Sequence, residues 1–145
     1  MKHLALEQLE IVAKVDHDYP RRTMSRRERL ERWAELLERN PDRLLATLHQ
    51  TEYQPAMERA SMRGDGSPIS VAFEDQVLRA AGLENNTYGE ARRFFELSDH
   101  QLHELICYCH FGATVRSSTA ARHIRAITAS RPGGILARLR GIFVR

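Results

Sequence analysis

The sequence predicts an all-α fold: a compact bundle of about six to eight short helices with a C-terminal amphipathic helical segment. Three observations carry this. Helix-start signatures of the form Ser/Thr-x-x-Glu/Gln recur at Ser25–Glu28, Thr87–Glu90 and Ser98–Gln101, each ahead of an apolar run of helical spacing. Leu, Ile, Val and Phe make up 34 of the 145 residues, enough for a core without disulfide or metal. The one strand-like alternation, Ile69-Ser-Val-Ala-Phe73, would be a lone strand without a partner, and its apolar positions continue at helical spacing through Val77 and Ala80 to a stop at Gly82. Residues 1–130 are read as a helical domain and residues 131–145 as a hinge and basic amphipathic tail.

In chain order, Leu6, Leu9 and Val12 mark a first amphipathic helix over residues 3 to 15, ended by Asp16-His17-Asp18-Tyr19-Pro20. Asp16, His17 and Asp18 resemble a ligand cluster on paper but read as a polar turn. The helix opened by Ser25 runs to Arg39 with Leu30, Trp33, Ala34 and Leu37 as its stripe and an Arg/Glu outer face, on which Glu28–Arg32 and Glu35–Arg39 have ion-pair spacing. Arg21, Arg22, Arg26, Arg27 and Arg29 stand out as locally uncompensated apart from Glu28. Asn40 and Pro41 have the pattern of a cap and first turn for another helix with Leu44, Leu45 and Leu48 inward. A short turn follows at Met57, Ala60 and Met62, then a loop at Arg63-Gly-Asp-Gly-Ser-Pro68. Its Arg-Gly-Asp tripeptide matches an integrin-recognition string by letter and is read as chance.

Ala91, Phe94 and Phe95 supply the core of a short helix that passes at Leu97-Ser98 into the chemically densest stretch, residues 97 to 112. There Leu97 and Leu102 have hydrophobic-staple spacing, Leu102, Leu105, Ile106 and Cys109 form a core face, and Gly112 is the stop. His100, His103, Cys107 and His110 share the adjoining flank. Imidazole and thiolate are zinc and haem-iron ligands, and pairs at i,i+3 or i,i+4 can converge on one ion. All four cannot, because about 15 Å of axial rise separates His100 from His110. The metal candidates are therefore His103, Cys107 and His110, with further ligands needed from elsewhere, such as His17, His49 or His123. No paired Cys-x-x-Cys or His-Glu-x-x-His signature accompanies them. Cys107 flanked by His103 and His110 also fits an activated thiol, but no orienting group, oxyanion hole or glycine-rich turn is identifiable, so no catalytic residue is assigned.

Ser117 or Ser118 opens a helix through about Ala129, with Ala120, Ala121, Ile124 and Ile127 inward and Arg122 and Arg125 outward. Arg131-Pro-Gly-Gly134 is a hinge. From Ile135 to Arg145, Leu136, Leu139, Ile142 and Phe143 fall on the same face as Ile135, and Arg138, Arg140 and Arg145 flank it. These seven, Leu136, Arg138, Leu139, Arg140, Ile142, Phe143 and Arg145, are the expected partner-binding residues.

Net charge is +3, but all 19 acidic residues lie at or before Glu104; residues 105 to 145 carry seven arginines and no acid. An acidic body with a basic end points to an interaction element. The two cysteines, one residue apart on one helix, face different directions and fit reduced thiols in a cytoplasmic protein. No secretory h-region and no apolar run near ~20 residues is present, so the chain is not expected to be transmembrane. The leading functional expectation is a non-enzymatic cytoplasmic binding or regulatory protein acting through the basic segment, with a protein partner or self-association ahead of an anionic membrane surface or nucleic acid, and with no cofactor. Zinc or haem binding through the His/Cys flank at 99–111 is the alternative, and a cysteine-dependent enzyme the third reading.

Overall fold

The computed structural model describes residues 23–48, 51–107 and 114–130. Among these the chain forms α1 (Arg26–Glu38), β1 (Leu44–Ala46), a 3-10 turn (Thr51–Tyr53), α2 (Ala56–Ser61), α3 (Pro68–Glu74), α4 (Gln76–Ala80), α5 (Tyr88–Phe94), α6 (Asp99–Leu102), a π turn (His103–Cys107), β2 (Thr114–Arg116) and α7 (Ser117–Ala129). The fold is a helical bundle with one small two-stranded sheet, as the class expectation required. The expected first helix and the segment after Ser130 lie outside the described residues.

α1 begins where the capping box places it: Ser25 Oγ accepts from the Glu28 amide at 3.2 Å and Glu28 Oε1 accepts from the Ser25 amide at 3.3 Å. Leu30, Trp33, Ala34 and Leu37 are buried, and Leu36 joins them. The Trp33 ring stacks on Phe95, centroids 4.2 Å apart, and Phe94 meets Phe95 edge-on at 4.9 Å. The indole N–H donates to the Pro68 carbonyl at 2.8 Å. One side chain thus joins α1 to the end of α5 and the start of α3, with its only polar atom satisfied.

The helix expected after Asn40-Pro41 is not formed. Residues 40–43 make a turn, and Leu44–Ala46 pairs antiparallel with Thr114–Arg116 in the register Leu44↔Arg116, Leu45↔Val115, Ala46↔Thr114. Leu45 and Val115 are buried, whereas Leu44 is 64% exposed. The partner strand lies some seventy residues away, so no local periodicity could announce it; the alternation of one buried and two outward residues is the strand's own. The Leu48 amide continues the tether by donating to the Ile106 carbonyl at 2.8 Å.

The helix expected through 69–81 is present in two pieces. Asp75 breaks it with an extended backbone (φ -82°, ψ 124°), ending α3 and capping α4 by accepting from the Leu78 amide at 3.1 Å. The same carboxylate receives Arg32 of α1 through two bonds of 2.8 and 3.0 Å. α5 uses half of its capping box. Thr87 Oγ1 accepts from the Glu90 amide, but the Glu90 carboxylate turns to Arg93 (2.6 Å) and to the Glu84 amide (2.7 Å). Beside it α2 lies close to Gly89, where an added Cβ would stand 2.9 Å from the Ala60 carbonyl.

α6 has both halves of the Ser98–Gln101 box, and the staple residues Leu97 and Leu102 are buried. The expected regular helix to Gly112 continues as one α turn and then widens into the π turn. Leu105 and Ile106 are buried and Glu104 exposed, as the face assignment required; Gln101 is half-buried, and Cys109 lies outside the described residues. α7 spans the expected Ser117–Ala129, with Ala120, Ala121 and Ile124 inward and Arg122 and Arg125 outward. Ser117 does not cap it. Its hydroxyl donates to the Leu37 carbonyl at 2.6 Å, and the Ser117 and Ser118 amides donate to the Arg43 and Pro41 carbonyls, locking α7 against α1 and the 40–43 turn.

Two consequences are measurable. Leu105→Ala should cost about 2 to 5 kcal/mol in chemical denaturation, the range for truncating a filled core position; a loss below about 0.5 kcal/mol would contradict this burial. For Asp75, burial alone pushes the carboxyl up, but the Arg32 hydrogen bonds, the Leu78 amide and the charges of Arg32 and Arg39 outweigh it and hold it below the ordinary aspartate range. A carboxyl lowered on folding contributes stability at neutral pH that is lost as pH falls through its folded value. Asp75→Asn should therefore cost about 1.5 to 3 kcal/mol near pH 7, and its deficit against wild type should shrink below about pH 4.

Candidate functional site

α6 and the π turn place Asp99, His100 and His103 on one wall of a polar cleft of about 230 Å³, lined also by Thr51, Arg59 and Tyr88. Tyr88 Oη donates to Asp99 Oδ1 at 3.1 Å, Arg92 Nη1 stands 3.5 Å from the same oxygen, and Arg59 Nη1 is 3.9 Å from Asp99 Oδ2. Arg59 Nη2 also donates to the Gln54 carbonyl at 3.1 Å. His100 Nε2 lies 3.1 Å from Glu104 Oε1 on the exposed side, and the Thr51 hydroxyl donates to the Leu48 carbonyl. The Asp99 charge is thus spread over two guanidinium groups and a phenol, and the phenolic proton is committed to a carboxylate. This pattern ties α2, α5 and α6 together through polar contacts.

Of the three metal candidates, His103 lines this cleft, while the Cys107 side chain and His110 lie outside the described residues. The π turn also changes the basis of the expectation. Its bonds run i to i+5, so the i,i+4 argument that paired His103 with Cys107 on a regular helix no longer applies. Among the described residues no three His, Cys, Asp or Glu side chains are grouped to hold an ion. His17, His49 and the partner-binding set Leu136, Arg138, Leu139, Arg140, Ile142, Phe143 and Arg145 lie outside them.

The arginine cluster before and within α1 is compensated where it is described. Arg26 Nε donates to the Glu96 carbonyl at 3.0 Å, Arg27 pairs with Glu31 at 2.9 Å, and Arg29 donates to the Phe94 carbonyl at 2.8 Å while lying over the Phe94 ring. Those carbonyls belong to the end of α5, so the cluster fastens two helices rather than waiting for a ligand. In the Arg-Gly-Asp loop, Arg63 Nη2 bonds Asp65 Oδ1 at 3.1 Å and Asn86 Nδ2 bonds the same oxygen at 2.8 Å. The Asn86 bond, with help from Arg63, holds the Asp65 carboxyl below its ordinary value against the opposing effect of burial. Arg63 and Asp65 bind each other, which fits a structural turn.

Sequence reasoning missed the remaining cleft residues. Thr51, Arg59 and Tyr88 come from three elements separated by up to 37 positions from one another, and no spacing rule links them. The missed bonding partner Asp99 was visible as a first-turn acid, not as a hub. Titrating the reduced protein with zinc, followed by calorimetry, should show no tight stoichiometric event if the 103–110 flank is structural. A 1:1 or 1:2 event abolished by Cys107→Ser would establish the metal reading instead.

No known protein family, curated protein or solved structure matches the chain, so its functional reading rests on its own residues.

Proposed function

We propose that the protein is a non-enzymatic cytoplasmic binding or regulatory protein whose contact element is segment 131–145. The observation that carries this is the segment's composition: Ile135, Leu136, Leu139, Ile142 and Phe143 at helical spacing, with Arg131, Arg138, Arg140 and Arg145 and no acidic residue. Burying one such apolar side chain contributes about 1.5 to 3 kcal/mol, whereas an exposed ion pair contributes about 0 to 1 kcal/mol. A face of five therefore favours a covering surface, and the arginines at its margin favour one with acidic groups at its rim.

The described body supports the same reading. Its carboxylates are largely spent on structure: Asp75 on Arg32, Glu90 on Arg93 and the Glu84 amide, Glu38 on Arg125, Asp99 on Tyr88 and two arginines. None of these groups stands beside a nucleophile in a triad-like arrangement of described residues. No described helix is long and apolar enough to cross a membrane. The partner favoured is a protein, including a second copy of the chain.

Deleting residues 133–145 tests this by three readouts on one pair of samples: thermal stability, molar mass in solution, and co-sedimentation with anionic vesicles or duplex DNA at low and moderate salt. A fall in mass identifies a protein interface, and a fall in stability identifies docking on the chain's own body. A salt-sensitive loss of sedimentation identifies an anionic surface. Identity of the truncated and full-length proteins in all three would refute the contact element.

A further inference from the structure

The described part of the chain contains fourteen arginines, and twelve of them have a hydrogen bond, ion pair or ring contact. These are Arg26, Arg27, Arg29, Arg32, Arg59, Arg63, Arg79, Arg92, Arg93, Arg116, Arg122 and Arg125. The guanidinium groups of the other two, Arg39 and Arg43, make no hydrogen bond or ion pair with a described residue. Both line the same two adjoining hollows. One, of about 240 Å³, is bounded by Leu36, Arg39, Asn40, Arg43, Val71, Glu74, Asp75 and Ser117; the other, of about 550 Å³, opens over the turn from Arg39 to Arg43.

We propose that Arg39 and Arg43 form an oxyanion site that takes the phosphate group of a small phosphorylated ligand. Guanidinium forks match phosphate oxygens in pairs, and these two, of which Arg39 acts on the already paired Asp75 through charge alone, have donors free of hydrogen bonds to described residues at one tight turn. The backbone holds that turn rigidly. The Arg43 amide donates to the Asn40 carbonyl at 3.1 Å, and the Ser117 and Ser118 amides at the start of α7 donate to the Arg43 and Pro41 carbonyls at 2.8 and 2.9 Å. The first two amides of the thirteen-residue α7 are thus spent on carbonyls of the turn, so the helix start braces the site and the two guanidinium groups supply its charge.

The acidic neighbours decide the size of the ligand. Asp75 is held by Arg32 and the Leu78 amide, and Asp42 stands 3.5 Å from Arg116, so both are partly offset. Glu74 borders the smaller hollow as an exposed carboxylate. A long polyanion laid across this surface would meet Asp42 and Glu74 as well as the arginines, whereas one compact phosphate between Arg39 and Arg43 need not. That favours a small phosphorylated molecule or free phosphate over a nucleic-acid strand. The proposal does not depend on the role of segment 131–145.

The test is a titration of the full-length, isotope-labelled protein with inorganic phosphate, read by amide chemical shifts with chloride matching the ionic strength. A phosphorylated sugar and a short DNA duplex serve as parallel arms. Saturable shifts should appear at Arg39, Asn40, Asp42, Arg43 and residues 117–119, and Arg39→Gln with Arg43→Gln should weaken phosphate at least about tenfold, given what charge-assisted hydrogen bonds contribute. Arg122→Gln on the outer face of α7 should leave the affinity unchanged. Both arginines are exposed, and unaltered shifts elsewhere in the spectrum verify that the double variant is folded. A stronger response to the phosphorylated sugar identifies the ligand as a phosphorylated metabolite, and an equal one as free phosphate. The proposal is overturned if phosphate gives no saturable shift beyond chloride, if the shifts fall only in 131–145, or if they survive the double substitution. Arginine-dependent binding of the duplex without binding of phosphate would overturn it in favour of nucleic acid.

Discussion

The contact between Trp33 and its surroundings is the joint on which the other elements depend. Its ring stacks on Phe95 at the end of α5, and its N–H is consumed by the carbonyl of Pro68 at the start of α3. Arg29, one turn earlier on α1, grips the Phe94 carbonyl and covers the Phe94 ring. Arg32 reaches the opposite way to Asp75 between α3 and α4. Three positions of a single helix thus fix the placement of three others, α3, α4 and α5. Burial makes the aromatic stack favourable, and the indole N–H and the Asp75 carboxylate are each given a partner, without which desolvation would offset the gain.

Short helices make such cross-links necessary. α3, α4, α5 and α6 span between four and seven residues each, too short to be stable alone, because nucleation is costly and each turn adds few bonds. Side chains at their ends supply the rest. Ser67, Asp75, Thr87 and Ser98 each accept from an amide of the helix they open, and Asp75 does so while holding Arg32. The polar network is therefore structural where the apolar core is thin. This accounts for a cleft at Tyr88 and Asp99 whose charges are paired, and it sets Arg39 and Arg43 apart from the rest.

How much of this could be seen in the residues depended on distance along the chain. Ser25 with Glu28 and Ser98 with Gln101 announced helix starts correctly because a capping box is complete within four residues. The inward stripe Leu30, Trp33, Ala34, Leu37 followed from the helical period alone. Thr87 with Glu90 was half legible: the threonine caps, but Arg93 and the Glu84 amide compete successfully for the glutamate. Leu44–Ala46 was misread because its partner, Thr114–Arg116, is remote, and two leucines with a third four positions on satisfy either period. The π turn at His103–Cys107 has no composition signature, so the helical period alone predicts a regular helix there. The cleft was illegible for the same reason as the sheet, its walls being joined only by packing.

The central claim is that the described body is one cooperative unit closed at Trp33. Because the chain has a single tryptophan, hydrogen exchange of its indole N–H reports that joint without ambiguity. The account predicts exchange only through global unfolding, with the same opening free energy as the slowest amides of α1 and α7. An indole proton that exchanges well before those amides would mean that α3 and α5 leave Trp33 while α1 and α7 remain folded together, and would contradict it.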